Sequence, residues 1–203
     1  EKKVKNPTKE IKDKIDLINK VGTKLANLIY YLNSIPDHVI IFSQWDNLLK
    51  KVGSILNNFG IKNVFCKGNV WQRSKAIREF SENDNIKVIM LSSEKSASGI
   101  NLTKATKVIL LDPVYGSYDF RKNTEWQAVG RAYRTGQLNE VEIVRFIIKD
   151  SVEEEIYIMN KKVDDEKQTQ VKIEEINEDS ITLTSVQLEK LQSKIKNVAL
   201  NKA

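Results

Sequence analysis

Short apolar runs rich in Val and Ile alternate along this chain with segments whose apolar residues recur every three to four positions. The runs fall at residues 38–43, 61–65, 86–92, 107–112 and 141–147. Several are continuously apolar, the pattern of strands buried on both faces. Between them Leu25, Leu28, Ile29 and Leu32 make one helical stripe, Leu48, Leu49, Val52 and Leu56 a second, and Ala76, Ile77 and Phe80 a shorter third. Alternation of this kind predicts an α/β fold, a mainly parallel sheet flanked by helices. Right-handed crossovers then place the strand C-terminal ends, and the loops after them, on one functional edge.

The flanks are patterned differently. Residues 1–21 are highly charged with little apolar periodicity, so they read as a connector or marginal helix ahead of a core at 22–150. Residues 151–203 form a helical C-terminal extension. In it SVEEEIYIMNKKVDDEK predicts an exposed helix, with Asp164, Asp165 and Glu166 on a solvated face. The stretch VKIEEINEDSITLTS predicts a short hairpin turning at 177–180. A last helix over 185–199 carries Leu188, Leu191 and Ile195 on one face.

Composition narrows the function classes. Of 203 residues 40% are apolar, enough for a core, and 30% are charged. The longest apolar stretches hold a few residues where a membrane span needs about 20, so no membrane partner is expected. The start, EKKVKNPTKE, lacks the apolar core of a secretory signal. One cysteine, Cys66, and one histidine, His38, exclude a disulfide framework and a Cys/His zinc site, and point to a reducing intracellular compartment. The net charge of +6 fits a polyanionic partner or a lysine-rich solvated surface equally, because no run of basic residues concentrates it.

Four segments carry candidate chemistry. In TEWQAVGRAYRTGQ, residues 124–137, Thr124 and Gln127 have capping-box spacing, which predicts a helix starting there and stopping at Gly136. On that helix Gln127, Arg131 and Arg134 lie at i, i+4 and i+7, one face bearing two rigid guanidinium forks suited to anionic oxygens. Gly130 and Ala132 would let the other side pack closely. The strand of residues 88–92 runs into Ser92, Ser93 and then Gly99-Ile100-Asn101, a loop of hydroxyls and backbone N–H groups suited to phosphate. Ser43, Gln44 and Trp45 follow the first strand, and Gly68 and Asn69 precede a helix bearing Arg73, a candidate anion seat. Each segment alone is also what an ordinary strand-to-helix loop, or an arginine face paired with surface carboxylates, would look like.

Taken in order, FSQW, the Gly68 loop, the Ser-rich loop with GINLT, VILLDP and QAVGRAYRTGQ resemble motifs IV, IVa, V and VI of the Swi/Snf-type superfamily 2 ATPases, over residues 22–158. The details are most similar to the branch whose motor carries RING-type insertions. The resemblance implies the C-terminal RecA-like lobe of a DNA-dependent motor. Arg131 and Arg134 would be catalytic, with Arg134 the arginine finger that reaches ATP on the other lobe. Gln127, Gly99 and Asn101 would serve the nucleotide and its coupling to DNA. Ser43, Gln44, Gly68, Asn69, Arg73 and Ser93 would lie near the DNA backbone. The helix from 151 to about 162 would brace the first lobe. The chain departs from the family in three places. VYGSYDFRKNTEW replaces a shorter Trp-Asn-Pro element, Tyr133 replaces a histidine, and Ser96 and Ala97 stand where paired glycines are usual.

No GxxxxGK[ST] occurs, and Gly22-Thr23-Lys24 has the wrong order for one. Leu111-Asp112 has the place of a magnesium-binding Asp after an apolar strand, but Pro113 follows it. The chain alone is therefore expected to be inactive. ATP and Mg²⁺ would be held mainly by a first RecA-like lobe N-terminal to Glu1 or in a partner, with no metal site of its own here. Expected partners are that lobe and the backbone of double-stranded DNA, with nucleosomes left open. The compartment would be the nucleus of a eukaryotic cell, or otherwise a viral or cytoplasmic one. Two other readings stay open: a non-catalytic nucleic-acid-binding module that keeps the RecA-like fold, and an RNA helicase lobe.

Overall fold

The computed structural model describes residues 7–92, 101–177 and 195–200, with side chains over 12–92 and 101–167. Its strands are β1 (Val39–Ser43), β2 (Asn63–Phe65), β3 (Val88–Ser92), β4 (Lys107–Leu110), β5 (Glu142–Ile148) and β6 (Ile195–Leu200). They form one sheet in the order β2-β3-β1-β4-β5-β6, every neighbour parallel. The helices are α1 (Pro7–Val21), α2 (Thr23–Ser34), α3 (Asp46–Asn58), α4 (Val70–Glu82), α5 (Tyr118–Val129) and α6 (Val152–Asn177). This is the predicted α/β architecture of a parallel sheet flanked by helices.

Every residue of β1 and β3 is buried because both sheet faces are covered. Alternation divides β1 between two cores. Ile40 and Phe42 join Ile89, Leu91, Val108, Leu110 and Phe80 on one face. Val39 and Ile41 join Val88, Met90, Ile109, Phe146 and the α2 and α3 stripes Leu28, Leu32, Leu49, Val52 and Leu56 on the other. Full burial of each such side chain is worth about 1.5–3 kcal/mol. Gly53 lets α3 approach the sheet, since a Cβ there would lie 2.6 Å from the Met90 terminal methyl.

Strand limits differ from the sequence reading for a local reason. Residue 61 was expected in a strand, but Ile61 closes α3. Its N–H bonds to Leu56 O at 2.9 Å while the N–H of Gly60, at φ 75°, bonds to Asn57 O at 3.0 Å. This is the Schellman arrangement, and it delays β2 to Asn63.

The flanks differ in part from the sequence reading. Of the connector or marginal helix expected at 1–21, residues 7–21 form the regular helix α1, whose Leu17 and Val21 pack against the core. Gly22, at φ 86°, makes the joint to α2. The hairpin expected within 171–185 is overturned at 171–177, which are the end of α6; its 178–185 part lies outside the described residues. The helix expected over 185–199 is overturned at its end, where β6 pairs with β5 from Ile143↔Ile195 to Ile148↔Leu200. Pairing satisfies the backbone groups that β5 would otherwise leave open at a sheet edge.

Polar contacts clasp α6 to the body. Lys24 at the start of α2 bonds to Glu153 at 2.6 Å and to Leu111 O at 2.5 Å. Arg121 on α5, only 3% exposed, bonds to Asp164 at 2.8 Å and to Asn160 O at 3.4 Å. Lys122 reaches the other Asp164 oxygen at 2.6 Å, and Asn160 donates to Val114 O at 2.9 Å. Asp164 is therefore half-buried and doubly paired, a correction to the solvated face expected for it. Removing one partner of a buried pair leaves a desolvated charge behind. We expect Asp164→Ala to lower unfolding free energy by about 3 kcal/mol, read in urea as a fall in midpoint at constant slope. A loss below about 1 kcal/mol would mean the pair is no stronger than a surface one.

Candidate functional site

All strands being parallel, the loops after β1, β2 and β4 emerge along one edge. After β1, Ser43 is buried; its hydroxyl donates to Asp112 and accepts the Trp45 N–H at 3.0 Å. Asp112 Oδ2 lies 3.5 Å from the Gln44 N–H, and Gln44 Oε1 accepts the Tyr115 N–H at 3.3 Å. The β1 and β4 loops are thus tied together, with Gln44 half-exposed between them. Burial pushes the Asp112 carboxyl up from the ordinary carboxylate range, only partly offset by the Ser43 and Gln44 hydrogen bonds. Its Oδ1 is buried without a partner. Asp46, at the start of α3, ties the β2 and β3 ends in. Burial opposes its charge, but hydrogen bonds from Lys67 and Ser92 outweigh that and hold its carboxyl below the usual range.

The loop after β2 is shaped by glycine and a reciprocal cap. Gly68 sits at φ 98°, and a Cβ on it would fall 1.9 Å from Gln72 Oε1. Asn69 Oδ1 accepts the Gln72 N–H at 2.9 Å while Gln72 Oε1 accepts the Asn69 N–H at 3.0 Å, the capping box that starts α4. Arg73, one turn on, lies within electrostatic reach of Cys66. The buried thiol is pushed up by desolvation, against the opposing charges of Arg73 and Arg131.

The arginine segment departs from the predicted helix. α5 begins six residues before Thr124, at Tyr118: Ser117 is its N-cap, accepting the Phe120 N–H at 3.3 Å. Thr124 is buried in its interior, so it caps nothing. The helix ends at Val129 with Gly130 as C-cap, and the expected stop, Gly136, lies in a later turn at φ 97°. Gln127, Arg131 and Arg134 therefore do not share a continuous helical face. Gln127 is the exposed last turn of α5, Arg131 is 7% exposed beyond the cap, and Arg134 is exposed in the following turns. Gly130 has its backbone, not a packed helix, beside it. Ala132 is fully buried.

Gln137, which the sequence reading left out of the site, organises this turn. Its side-chain NH₂ donates to Thr103 O, Ala105 O and Ala132 O at 2.9, 3.0 and 3.2 Å, and Leu102 N–H bonds to Arg131 O at 2.9 Å. Its place at the end of RTGQ was the available signal. Arg131 is lowered from its ordinary value first by burial and then by the neighbouring Arg134 charge. Asn101 is exposed, its side chain accepting the Thr103 N–H at 3.3 Å. Gly99 and Ser93 lie outside the described residues. Among the described residues no group of three His, Cys, Asp or Glu could hold a metal. The structure thus puts Arg73 and Arg131 within electrostatic reach of Cys66 and Arg134 within reach of Arg131, and joins Ser43, Gln44 and Asp112 at the β1–β4 edge.

Residues 22–136 match the helicase conserved C-terminal domain family. The chain is 32% identical over 143 residues to the uncharacterized ATP-dependent helicase IRC20 of Saccharomyces cerevisiae, covering 70% of this chain and 9% of that protein. It is 37% identical over 134 residues to the DNA repair protein RAD5A of Arabidopsis thaliana, covering 65% and 12%. A crystal structure of the C-terminal part of the Fun30 ATPase domain superposes with a TM-score of 0.59 at 28% identity, covering 80% of this chain and 47% of that one. The chain thus spans about a tenth of the length of these two curated relatives.

The raised Asp112 carboxyl generates a test of the β1–β4 tie. The folded chain binds this proton more tightly than the unfolded chain. Its contribution to stability is therefore present in acid and is lost as pH rises from the ordinary carboxylate value through the raised one. We expect Asp112→Asn, which can still accept from Ser43 and Gln44, to be more stable than wild type at neutral pH and to lose that component of the decline. Urea midpoints measured from mildly acidic to neutral pH check this; parallel curves for the two proteins would refute it.

Proposed function

This chain belongs to the helicase conserved C-terminal domain family, in its Swi/Snf-type ATPase branch, and we propose that it is the second motor lobe of an ATP-dependent double-stranded DNA translocase. The observation that supports the reading is the pair of cations on the turn after α5, Arg131 buried and Arg134 exposed within its electrostatic reach. Burial disfavours the Arg131 cation and Arg134 adds like-charge repulsion, so an anionic phosphate at this turn would relieve both, and the residues fit one. ATP, when bound with Mg²⁺ held mainly by the first lobe, supplies the γ-phosphoryl group whose transfer drives the motor. Arg134, exposed on its turn, is the finger that meets developing negative charge. Arg131 is the second, more rigid cation, held by the buried turn that Gln137 secures. Gln127 and Asn101 flank the turn on the nucleotide side, and the motif V resemblance gives Gly99 the same role.

On the DNA side, Gln44, Asn69, Arg73 and Ser93 meet backbone phosphates, with Gly68 allowing close approach. Ser43, buried and bonded to Asp112, acts by holding Gln44 in place. The partner is the N-terminal RecA-like lobe of the same protein, braced by α6. Relatives named for DNA repair favour DNA over RNA, and with them a nuclear location in a eukaryotic host, or a viral or cytoplasmic one otherwise. The second reading, a non-catalytic binding module, draws on Ser96, Ala97 and Tyr133, which depart from the motor pattern.

Two measurements test this. In the two-lobe enzyme, Arg134→Ala should lower DNA-stimulated kcat by about 10³-fold or more with little change in ATP KM, and Arg134→Lys should rescue poorly because an ammonium lacks the planar fork. Retention of more than about a tenth of the turnover, a barrier change near 1.4 kcal/mol, would move the finger role to Arg131; no effect of either arginine would favour the binding module. The isolated chain should bind duplex DNA at about 10⁻⁴–10⁻⁶ M, without sequence preference and with affinity falling steeply with salt. Tight, salt-insensitive or sequence-selective binding would contradict the backbone reading.

A further inference from the structure

The lysine of Gly22-Thr23-Lys24, a segment with the wrong order for a P-loop, stands where three elements meet. Its side chain is 12% exposed. The ammonium donates to the two Glu153 oxygens at 2.6 and 2.7 Å and to Leu111 O at 2.5 Å. An ammonium has three donors, so these contacts engage all of them. One cation thus joins the start of α2, the residue after β4 and the first turn of α6.

Its two anchors are themselves held. The Leu111 N–H bonds to Phe42 O at 2.9 Å, which carries the β1–β4 ladder one residue past β4. On the other side Glu153 Oε2 accepts the Ile148 N–H at 3.1 Å, and the Glu153 N–H reaches Ser151 Oγ at 3.3 Å. Glu153 therefore fastens α6 to the end of β5, and Lys24 fastens both to β4.

The Leu111 carbonyl belongs to the peptide group that leads into Asp112. That group is planar, so holding its oxygen fixes where the Asp112 backbone begins. The Asp112 carboxyl takes the Ser43 hydroxyl and lies 3.5 Å from the Gln44 N–H. From α6 to Gln44 the contacts run through Glu153, Lys24, Leu111 O and Asp112 without a gap. Lys24 and Glu153 also both act on Asp112 electrostatically, with opposite signs. A plain structural pin needs only the Glu153 contact; the bond to Leu111 O is what directs this ion pair toward the β1–β4 edge.

We propose that Lys24 is a positioning residue for the DNA contact at Gln44, conveying the placement of α6 to the β1–β4 edge. The proposal rests on the reading of Gln44 as a DNA-backbone contact. Lys24 itself touches no DNA, since its donors are engaged within the chain. With α6 as the brace against the first lobe, the ion pair couples lobe placement to DNA grip, and such coupling acts equally in both directions.

The test measures duplex DNA affinity of the 203-residue chain by anisotropy over a salt series, with urea unfolding to establish that each variant is folded. Lys24→Met and Glu153→Ala should each weaken duplex binding about fivefold. The two substitutions change net charge in opposite directions, so charge alone would weaken binding in the first and tighten it in the second. Lys24→Met should keep the wild-type salt slope, whereas losing a phosphate contact would lower it by about one. In a Gln44→Ala background neither substitution should weaken binding by more than about twofold further. Additive losses there, a lower slope, or tighter binding by Glu153→Ala each overturn the proposal. Unchanged affinity with a lower urea midpoint also overturns it and leaves Lys24 a structural pin. Should Lys24→Met not fold, Glu153→Ala, at a side chain 26% exposed, decides the question by the sign of its effect and by the Gln44→Ala cycle. If Gln44→Ala alone leaves duplex affinity unchanged, the DNA reading of this edge falls and the inference with it. If Gln44→Ala weakens binding and the other two variants do not, the inference alone falls.

Discussion

Burial of β1 and β3 on both faces is the constraint from which the rest of this molecule follows. A strand with no solvated face needs helices on both sides, so each connection crosses over and each neighbour is parallel. The consequence is directional: all strand C-termini lie along one edge, and loops distant in sequence converge there. Residues 43–46, 66–73 and 111–117 become neighbours without any short-range signal linking them. The alternation in β1, Ile40 and Phe42 to one core and Val39 and Ile41 to the other, also fixes how far that edge can shift, because a one-residue slip would exchange the two sets.

Polar groups then do at the edge what apolar ones do in the core. Ser43, Gln44 and Asp112 join the β1 and β4 loops, and Asp46 with Lys67 and Ser92 joins the β1, β2 and β3 ends. The two carboxylates behave oppositely for one physical reason. Asp46 has a lysine to compensate its desolvation and stays charged, whereas Asp112 has only dipolar donors and a more distant Lys24, so its protonated form gains. Arg121, Lys122, Asn160 and Asp164 extend the same logic outward and fasten α6 to α5. Because α5 ends at Val129 and leads through its C-cap Gly130 into Arg131, that clasp also bears on where the arginine turn sits.

Much of the fold and part of the site were legible in the residues. Continuous Val/Ile runs placed five strands, and the stripes at Leu25–Leu32 and Leu48–Leu56 placed two helices, because burial periodicity is written locally. The ordered set FSQW, GN, GINLT, DP and QAVGRAYRTGQ was enough to identify the family. Illegible were features whose cause lies elsewhere in the chain. The Thr124–Gln127 spacing mimicked a helix start, but Ser117 caps earlier. The i, i+4, i+7 stripe dissolved because the backbone turns at Gly130 to meet Leu102, and because Gln137 bonds carbonyls some thirty positions upstream. Residues 195–199 looked helical in isolation and belong to a strand because β5 offers an open edge.

The sequence by itself therefore determined the class of fold, the family and the identity of the cations, since periodicity and motif order need only neighbours along the chain. Tertiary structure alone decided which of those cations are buried, which loops meet, which carboxyl is pushed up and which held down, and which aromatic rings stand in solvent. Those properties depend on desolvation and on partners brought from distant positions, and neither is encoded at the residue concerned.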